Sequence, residues 1–294
     1  MFRKISALIL SLIFTFTFFS LAIGNHYSEK ESDGPKRTLL ISIDGLRQDA
    51  VQNTEYGKYL IENSSYSLEV TTVNPSVTLP CHMSMFHSVS PEKHGVNSNV
   101  YTPSDELGDG IAETVFGKEM SAAIFYNWRE IGYIVTEGSV SVKEYIPGET
   151  LGWEEANRLV GEATVKHIQN APTDFVFMYL GFLDEEGHGH GWLSEEYYYA
   201  LNESFSLIEK VITEAKKQNY TVIITSDHGG HDHGHGSDLA EDMTIPLFIV
   251  GDGYGKGENL GKLSILDVAP TVAQILGITP PAYWEGTAIP KNAK

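Results

Sequence analysis

Thr38-Leu39-Leu40-Ile41-Ser42-Ile43-Asp44-Gly45 is a short run of Ile and Leu that stops on an acid and a glycine. An apolar run of this length reads as a strand buried on both faces. Similar runs recur at Tyr66 to Val73, Ala122 to Tyr126, Phe175 to Leu180, Tyr220 to Thr225 and Pro246 to Val250. Helical patterns lie between them, at about 46–63, 79–88, 111–119, 150–170, 195–218 and 265–276. Strands alternating with helices predict an α/β fold with a mainly parallel central sheet and helices on both faces.

Composition agrees with a globular chain. Of 294 residues, 41% are hydrophobic and 20% charged, with Gly and Pro scattered singly, which excludes collagen-like, coiled-coil and low-complexity classes. Acids outnumber Lys and Arg by 39 to 20, a field that repels nucleic acid, so no nucleic-acid duplex is expected as a partner. A single cysteine, Cys81, permits no internal disulfide and leaves folding to the core or to bound metal. At the N-terminus, Arg3 and Lys4 precede an apolar run from Ile5 to Ile23, with Ala22 and Gly24 at the spacing a signal peptidase accepts. The expected organisation is an export signal over 1–24, a polar leader over 25–37 and one domain over 38–294. The less regular 97–150 is read as a cap or insertion within that domain. The protein is then periplasmic or secreted, with no stable membrane insertion once the signal is cleaved; the alternative is an uncleaved N-terminal anchor.

Ligand crevices in open α/β sheets lie at the carboxyl ends of the strands. Asp44 leaves the first strand, Asp184 and His188 lie in the loop after Phe175 to Leu180, and Asp227 and His228 leave the strand that ends at Thr225. If these strands run parallel, three carboxylates and two imidazoles meet on one edge, and a divalent metal or two is the simplest relief of their repulsion. Glycines in Asp184-Glu185-Glu186-Gly187-His188-Gly189-His190-Gly191 allow a tight backbone. Ser226 to Gly236, by contrast, also reads as a solvated His-rich tract that binds metal adventitiously. Pro75-Ser76-Val77-Thr78-Leu79-Pro80-Cys81-His82 opens a helix with Thr78 at its N-cap. A hydroxyl there, beside metal, is a candidate nucleophile.

Taken together, these stretches resemble the alkaline phosphatase superfamily, and most closely its nucleotide pyrophosphatase/phosphodiesterase branch. Asp44 to Asp49 resembles the first metal-ligand motif, and Pro75 to His82, continued by Pro91-Glu92-Lys93-His94-Gly95, the nucleophile motif. Asp184-x-x-Gly187-His188-x-x-Gly191 and Ser226-Asp227-His228-Gly229 resemble the two later motifs. The resemblance implies two Zn2+ ions. Asp184, His188 and a later histidine would hold one; Asp44, Asp227, His228 and Thr78 would surround the other. His235, in His235-Gly236-Ser237-Asp238, is the best match for the later histidine, and His233 is the alternative because the His-Gly repeats allow a second register. Asn99 matches the asparagine that hydrogen-bonds a phosphoryl oxygen.

The implied function is hydrolysis of a small-molecule phosphate ester or diester through a phosphothreonine on Thr78. Few arginines follow the signal region (Arg37, Arg47, Arg129 and Arg158), which favours a diester over a doubly charged monoester. A phosphomonoesterase or phosphonate hydrolase on the same site is the alternative. The sulfatase branch is disfavoured because Cys81 lacks the Cys-x-Pro-x-Arg context, and the mutase branch because it uses serine and carries a large inserted domain. From another class, a non-catalytic zinc-binding protein would need neither Thr78 nor Asp44.

Overall fold

The computed structural model describes residues 36–102 and 107–292. The export signal and nearly all of the polar leader lie outside the described residues. The strands are β1 (Arg37–Ile43), β2 (Ser65–Thr71), β3 (Ala122–Tyr126), β4 (Val142–Tyr145), β5 (Phe175–Leu180), β6 (Tyr220–Thr225), β7 (Thr244–Val250), β8 (Glu258–Asn259) and β9 (Lys262–Ser264). The helices are α1 (Gln48–Val51), α2 (Glu55–Asn63), α3 (Thr78–His87), α4 (Pro91–His94), α5 (Ile111–Phe116), α6 (Gly148–Leu151), α7 (Trp153–Asn170), α8 (Phe182–His190), α9 (Glu195–Lys217), α10 (Ala240–Met243) and α11 (Val268–Leu276).

One sheet carries the strands in the order β4-β3-β5-β1-β6-β7-β2-β8, with β9 also on β2. The pairs from β4 to β6 are parallel, and β7 runs antiparallel to both β6 and β2. The predicted α/β class with a mainly parallel sheet is what forms. Residues 97–150, read as a cap or insertion, contribute β3 and β4 to the edge of this sheet.

Alternation in the strands sorts the core into two layers. In β5, Phe175, Phe177 and Tyr179 face the layer built on α3 and α11, while Val176, Met178 and Leu180 face the layer built on α7 and α9. β1 does the same: Leu39, Ile41 and Ile43 pack toward α9, and Leu40 shares the opposite layer with α3. The 23-residue α9 buries Tyr197, Leu201, Phe205, Ile208 and Ile212 at helical spacing, and the Ser194 hydroxyl caps it by accepting from the Tyr197 N–H.

Three local readings change. The helix expected over 46–63 is two, because Thr54 accepts from the Gly57 N–H and starts a new helix. The stretch from Asp184 to His190, expected as a loop, is the body of α8. Thr78 is the first residue of α3 rather than its cap; Val77 holds the cap position and supplies no side-chain bond.

Candidate active site

Ser42 of β1 pairs with Tyr179 of β5 on one side and Thr225 of β6 on the other. Three parallel neighbours therefore end level, and their exits deliver Asp44, Asp184 and Asp227 to one place. Gly45, at φ +70°, turns the chain sharply after Asp44, and a Cβ there would stand 3.0 Å from Asp184 Oδ1. Glycine takes this backbone without strain and leaves room for the close approach.

The carboxylates and imidazoles interlock. His228 Nε2 lies 3.2 Å from Asp44 Oδ1, 3.3 Å from Asp227 Oδ2 and 3.2 Å from the Thr78 hydroxyl. Asp184 Oδ2 is 3.4 Å from His188 Nε2, and its Oδ1 is 3.8 Å from His235 Nε2. The His228 and His235 rings stack at 3.7 Å between centroids. Asp44, Asp227 and His228 are buried, whereas 41% of the His188 side chain is exposed, so the cluster opens on the His188 side.

A shared tautomer shows what the histidines present. The Nδ1 of His228 faces the Gly229 carbonyl at 2.7 Å, that of His188 the His233 carbonyl at 3.0 Å and that of His235 the Ser76 carbonyl at 2.8 Å. In the neutral rings each Nδ1–H donates outward and each Nε2 keeps a lone pair for the cluster. The carboxylates are held likewise. The Tyr179 hydroxyl donates to Asp44 Oδ2, and the Gly45 N–H donates to Asp227 Oδ1 at 3.3 Å. That leaves Asp44 Oδ1, Asp227 Oδ2 and Asp184 Oδ1 buried without a hydrogen-bond partner.

The electrostatics follow from burial and from carboxylates crowding one another. Burial, then repulsion from Asp227 and Asp184, holds Asp44 well above the usual carboxylate range. Burial and Asp184 push Asp227 up to about 7. Burial also acts to raise Asp184, but the three imidazoles outweigh it and hold this carboxyl low. Burial and the neighbouring His235 take His228 down to about 3, whereas its bond to the Asp184 carboxylate lifts His188 to about 9. Lone pairs from three imidazoles and three orphaned carboxylate oxygens make a donor set that a divalent cation fits.

Two groups of donors, Asp184 with His188 and His235, and Asp44 with Asp184 and His228, each bring ligand atoms within 4.8 Å of one another. Asp184 lies within reach of both groups, and the resemblance places it in the one with His188 and His235. His235 enters the cluster, while His233 is exposed and bonds the His188 carbonyl through Nδ1 at 3.2 Å. His231 pairs instead with buried Asp242, which also accepts from the Ser237 N–H and so pins the loop that carries His235. Asn99 is exposed and its Oδ1 accepts from the Leu79 N–H at 3.0 Å, beside Thr78. Cys81, one turn into α3, is buried and burial raises its thiol, as for a packed rather than a reactive cysteine.

Several supporting side chains escaped the sequence reading. Trp192 Nε1 and the Tyr197 hydroxyl both donate to the Gly45 carbonyl, at 3.0 and 2.9 Å. His82 sits under the cluster and Tyr179 beside it. Tyr179 had a signal, as the one hydroxyl in an otherwise apolar strand, and so did His82, one helical turn after Thr78. Two of the four arginines after the signal region are engaged elsewhere: Arg47 binds Asp49 and the Gly230 carbonyl, and Arg129 lies over the Tyr145 ring.

Comparison with known proteins gives these features a lineage. The chain is 29% identical over 161 residues to phosphopentomutase of Carboxydothermus hydrogenoformans, covering 53% of this chain and 41% of that one. It is 26% identical over 240 residues to human bis(5′-adenosyl)-triphosphatase, covering 72% of this chain and 51% of that protein. It thus spans about half or less of the length of these curated relatives. Murine ectonucleotide pyrophosphatase/phosphodiesterase 5 shares the fold at a TM-score of 0.71 and 16% identity, over 85% of this chain and 97% of that one. An inactive form of that murine protein has been solved in complex with AMP. Residues 38–242, a span that holds every candidate site residue, match the type I phosphodiesterase / nucleotide pyrophosphatase family, and to that branch of the alkaline phosphatase superfamily this chain belongs.

Proposed function

We propose that the protein is an exported phosphoric diester hydrolase that uses Thr78 as nucleophile and two divalent ions, zinc in this reading, as cofactors. The observation that carries the proposal is the Thr78 hydroxyl, 3.2 Å from His228 Nε2 at the start of α3 and facing the cluster that holds the orphaned carboxylate oxygens. Asp44, Asp227, His228 and Thr78 would hold one ion, and Asp184, His188 and His235 the other. When bound, such ions neutralise the carboxylates, lower the pKa of hydroxyl groups and attract phosphoryl oxygens.

The residues divide the remaining work. Thr78 Oγ attacks phosphorus in line, a Thr78 Oγ–P bond forms, and the ester bond to the leaving alcohol breaks as that oxygen takes a proton. Water then attacks the phosphothreonine, the Oγ–P bond breaks and the hydroxyl is restored. Two inversions give net retention at phosphorus. The Asn99 amide donates to a phosphoryl oxygen, and the first turn of α3 directs its N-terminal dipole at the anion. A diester, with one negative charge, suits a site where Arg47 and Arg129 are engaged elsewhere. The AMP complex of the murine neighbour makes nucleotide esters the first class to test. Arg3, Lys4 and the apolar run behind them support export to the periplasm or beyond.

The test is the ratio of kcat/KM for a bis-aryl phosphate to that for the matching aryl monoester on one zinc-loaded preparation. We expect a ratio well above one; a ratio well below one would replace the diesterase by a phosphatase.

A further inference from the structure

His82 is a fully buried imidazole that no step above employs. It lies four residues after Thr78 on α3, a helix buried along its whole length, where Leu79, Met83 and Phe86 join the apolar core. An apolar side chain there would pack without the cost of desolvating a ring with two polar nitrogens.

The ring joins three separate segments. Its Nδ1 is 2.8 Å from the Thr78 carbonyl oxygen and 3.4 Å from Asp227 Oδ2. Its Nε2 is 2.9 Å from the hydroxyl of Ser42, two residues before Asp44 on β1. Nδ1 faces acceptors only, so Nδ1 carries the proton and Nε2 accepts from Ser42. The edge of the ring meets Tyr179, 5.3 Å between centroids, whose hydroxyl holds Asp44.

The first turn of α3 needs such support. Helix ends leave backbone groups without partners, and here the cap residue Val77 contributes no side-chain bond. Asn99 takes the Leu79 N–H from outside the helix, and His82, from within it, adds a side-chain bond to the Thr78 carbonyl. We infer that His82 is a positioning residue: the ring ties the Thr78 carbonyl to Ser42, two residues before Asp44, and stands 3.4 Å from Asp227 Oδ2, so that nucleophile and metal ligands keep a fixed relation. The inference rests on the reading of Thr78 as nucleophile and Asp227 as ligand.

The experiment compares His82→Leu with His82→Asn in the full chain. The asparagine amide keeps a donor near the Nδ1 position, and leucine keeps only bulk. For each we would measure kcat and KM on a bis-aryl phosphate, zinc affinity by chelator competition, and thermal unfolding. Partners of metal ligands typically contribute about 10–100-fold in affinity or activity. His82→Leu should therefore lower kcat by about that factor with KM within about twofold, and weaken zinc binding about tenfold, while His82→Asn stays within about threefold of the parent in both. Parent-like kcat and zinc affinity in His82→Leu would overturn the inference, as would equal losses in both variants, which would make the ring a structural filler. Should His82→Leu not fold, His82→Gln takes its place, because its amide cannot sit at the Nδ1 position; it should fall below His82→Asn, and equality of the two would also overturn the inference. If the parent hydrolyses no ester, the functional proposal fails, and chelator competition still decides the positioning of Asp227.

Discussion

The two halves of the cluster are built from the same side-chain types and differ in their walls. Around Asp44, Asp227 and His228 every donor is buried, and its second polar atom is fixed by Tyr179, the Gly45 N–H or the Gly229 carbonyl. Around His188 and His235 the shell is thinner: the His188 side chain is 41% exposed, and its Nδ1 is fixed by a carbonyl of the His-rich loop. The buried half is preorganised by the sheet, and the open half depends on a loop and a helix end. A cation in the buried half should exchange slowly and one in the open half quickly, and the chemistry proposed for Thr78 would belong to the slow half.

The largest expected effect is at Thr78. Thr78→Ala should cut kcat by at least about 1,000-fold, as removal of a nucleophile does, while both zinc ions remain by elemental analysis. Loss of one ion in step with activity would make Thr78 an essential ligand and blur the division between attack and metal holding. Next come paired variants that address each half. In a chelator challenge the parent should release zinc in a slow and a fast phase; Asp227→Asn should abolish the slow phase and His188→Ala the fast one. The unfolding temperature of the zinc-loaded protein should fall in both, and further for Asp227→Asn, since bound metal stabilises the folded state by mass action. A single release phase in the parent would remove the distinction between the halves.

Sequence pattern reached the buried half more fully than the open one, for a physical reason. Asp44 and Asp227 follow β1 and β6 directly, so finding the strands also finds the residues at their exits. The match over 38–242 bears out the family read from those motifs. The open half hangs on α8, where glycines at 187 and 189 suggested a loop but the chain stays helical, with Asp184 and His188 one turn apart. Helical periodicity carries little weight in so short a polar stretch, and tertiary support decides it: Trp192 closes over Gly187, and the Trp192 N–H meets the Asp232 carbonyl. That Asp184 stands within reach of both groups is equally invisible in sequence, because it depends on the glycine turn at 45 bringing two strand exits within contact. His82 and Tyr179 lay in stretches read for other purposes; each stood out as a polar group there, but only the packing of α3 on β1 and β5 brings them to Ser42 and Asp44.

The smallest effect separates the loop from the cluster it supports. His231 donates to Asp242 at 2.7 Å, and that bond raises its pKa above the ordinary histidine value of 6.5. A group whose folded pKa is raised contributes stability that is fully present below the unfolded pKa and lost as pH rises through the folded one. With 35% of the side chain exposed, the ion pair is screened, and its contribution is under about 1 kcal/mol. Metal-free parent and His231→Gln should therefore differ slightly in unfolding temperature at pH 6, and the gap should close toward pH 9. Working without metal matters, because ligand protonation would otherwise add its own pH dependence. A gap that stayed constant over this range would mean that the loop is held by the Ser237 bonds to Asp242 alone, and that the open half owes nothing to charge on His231.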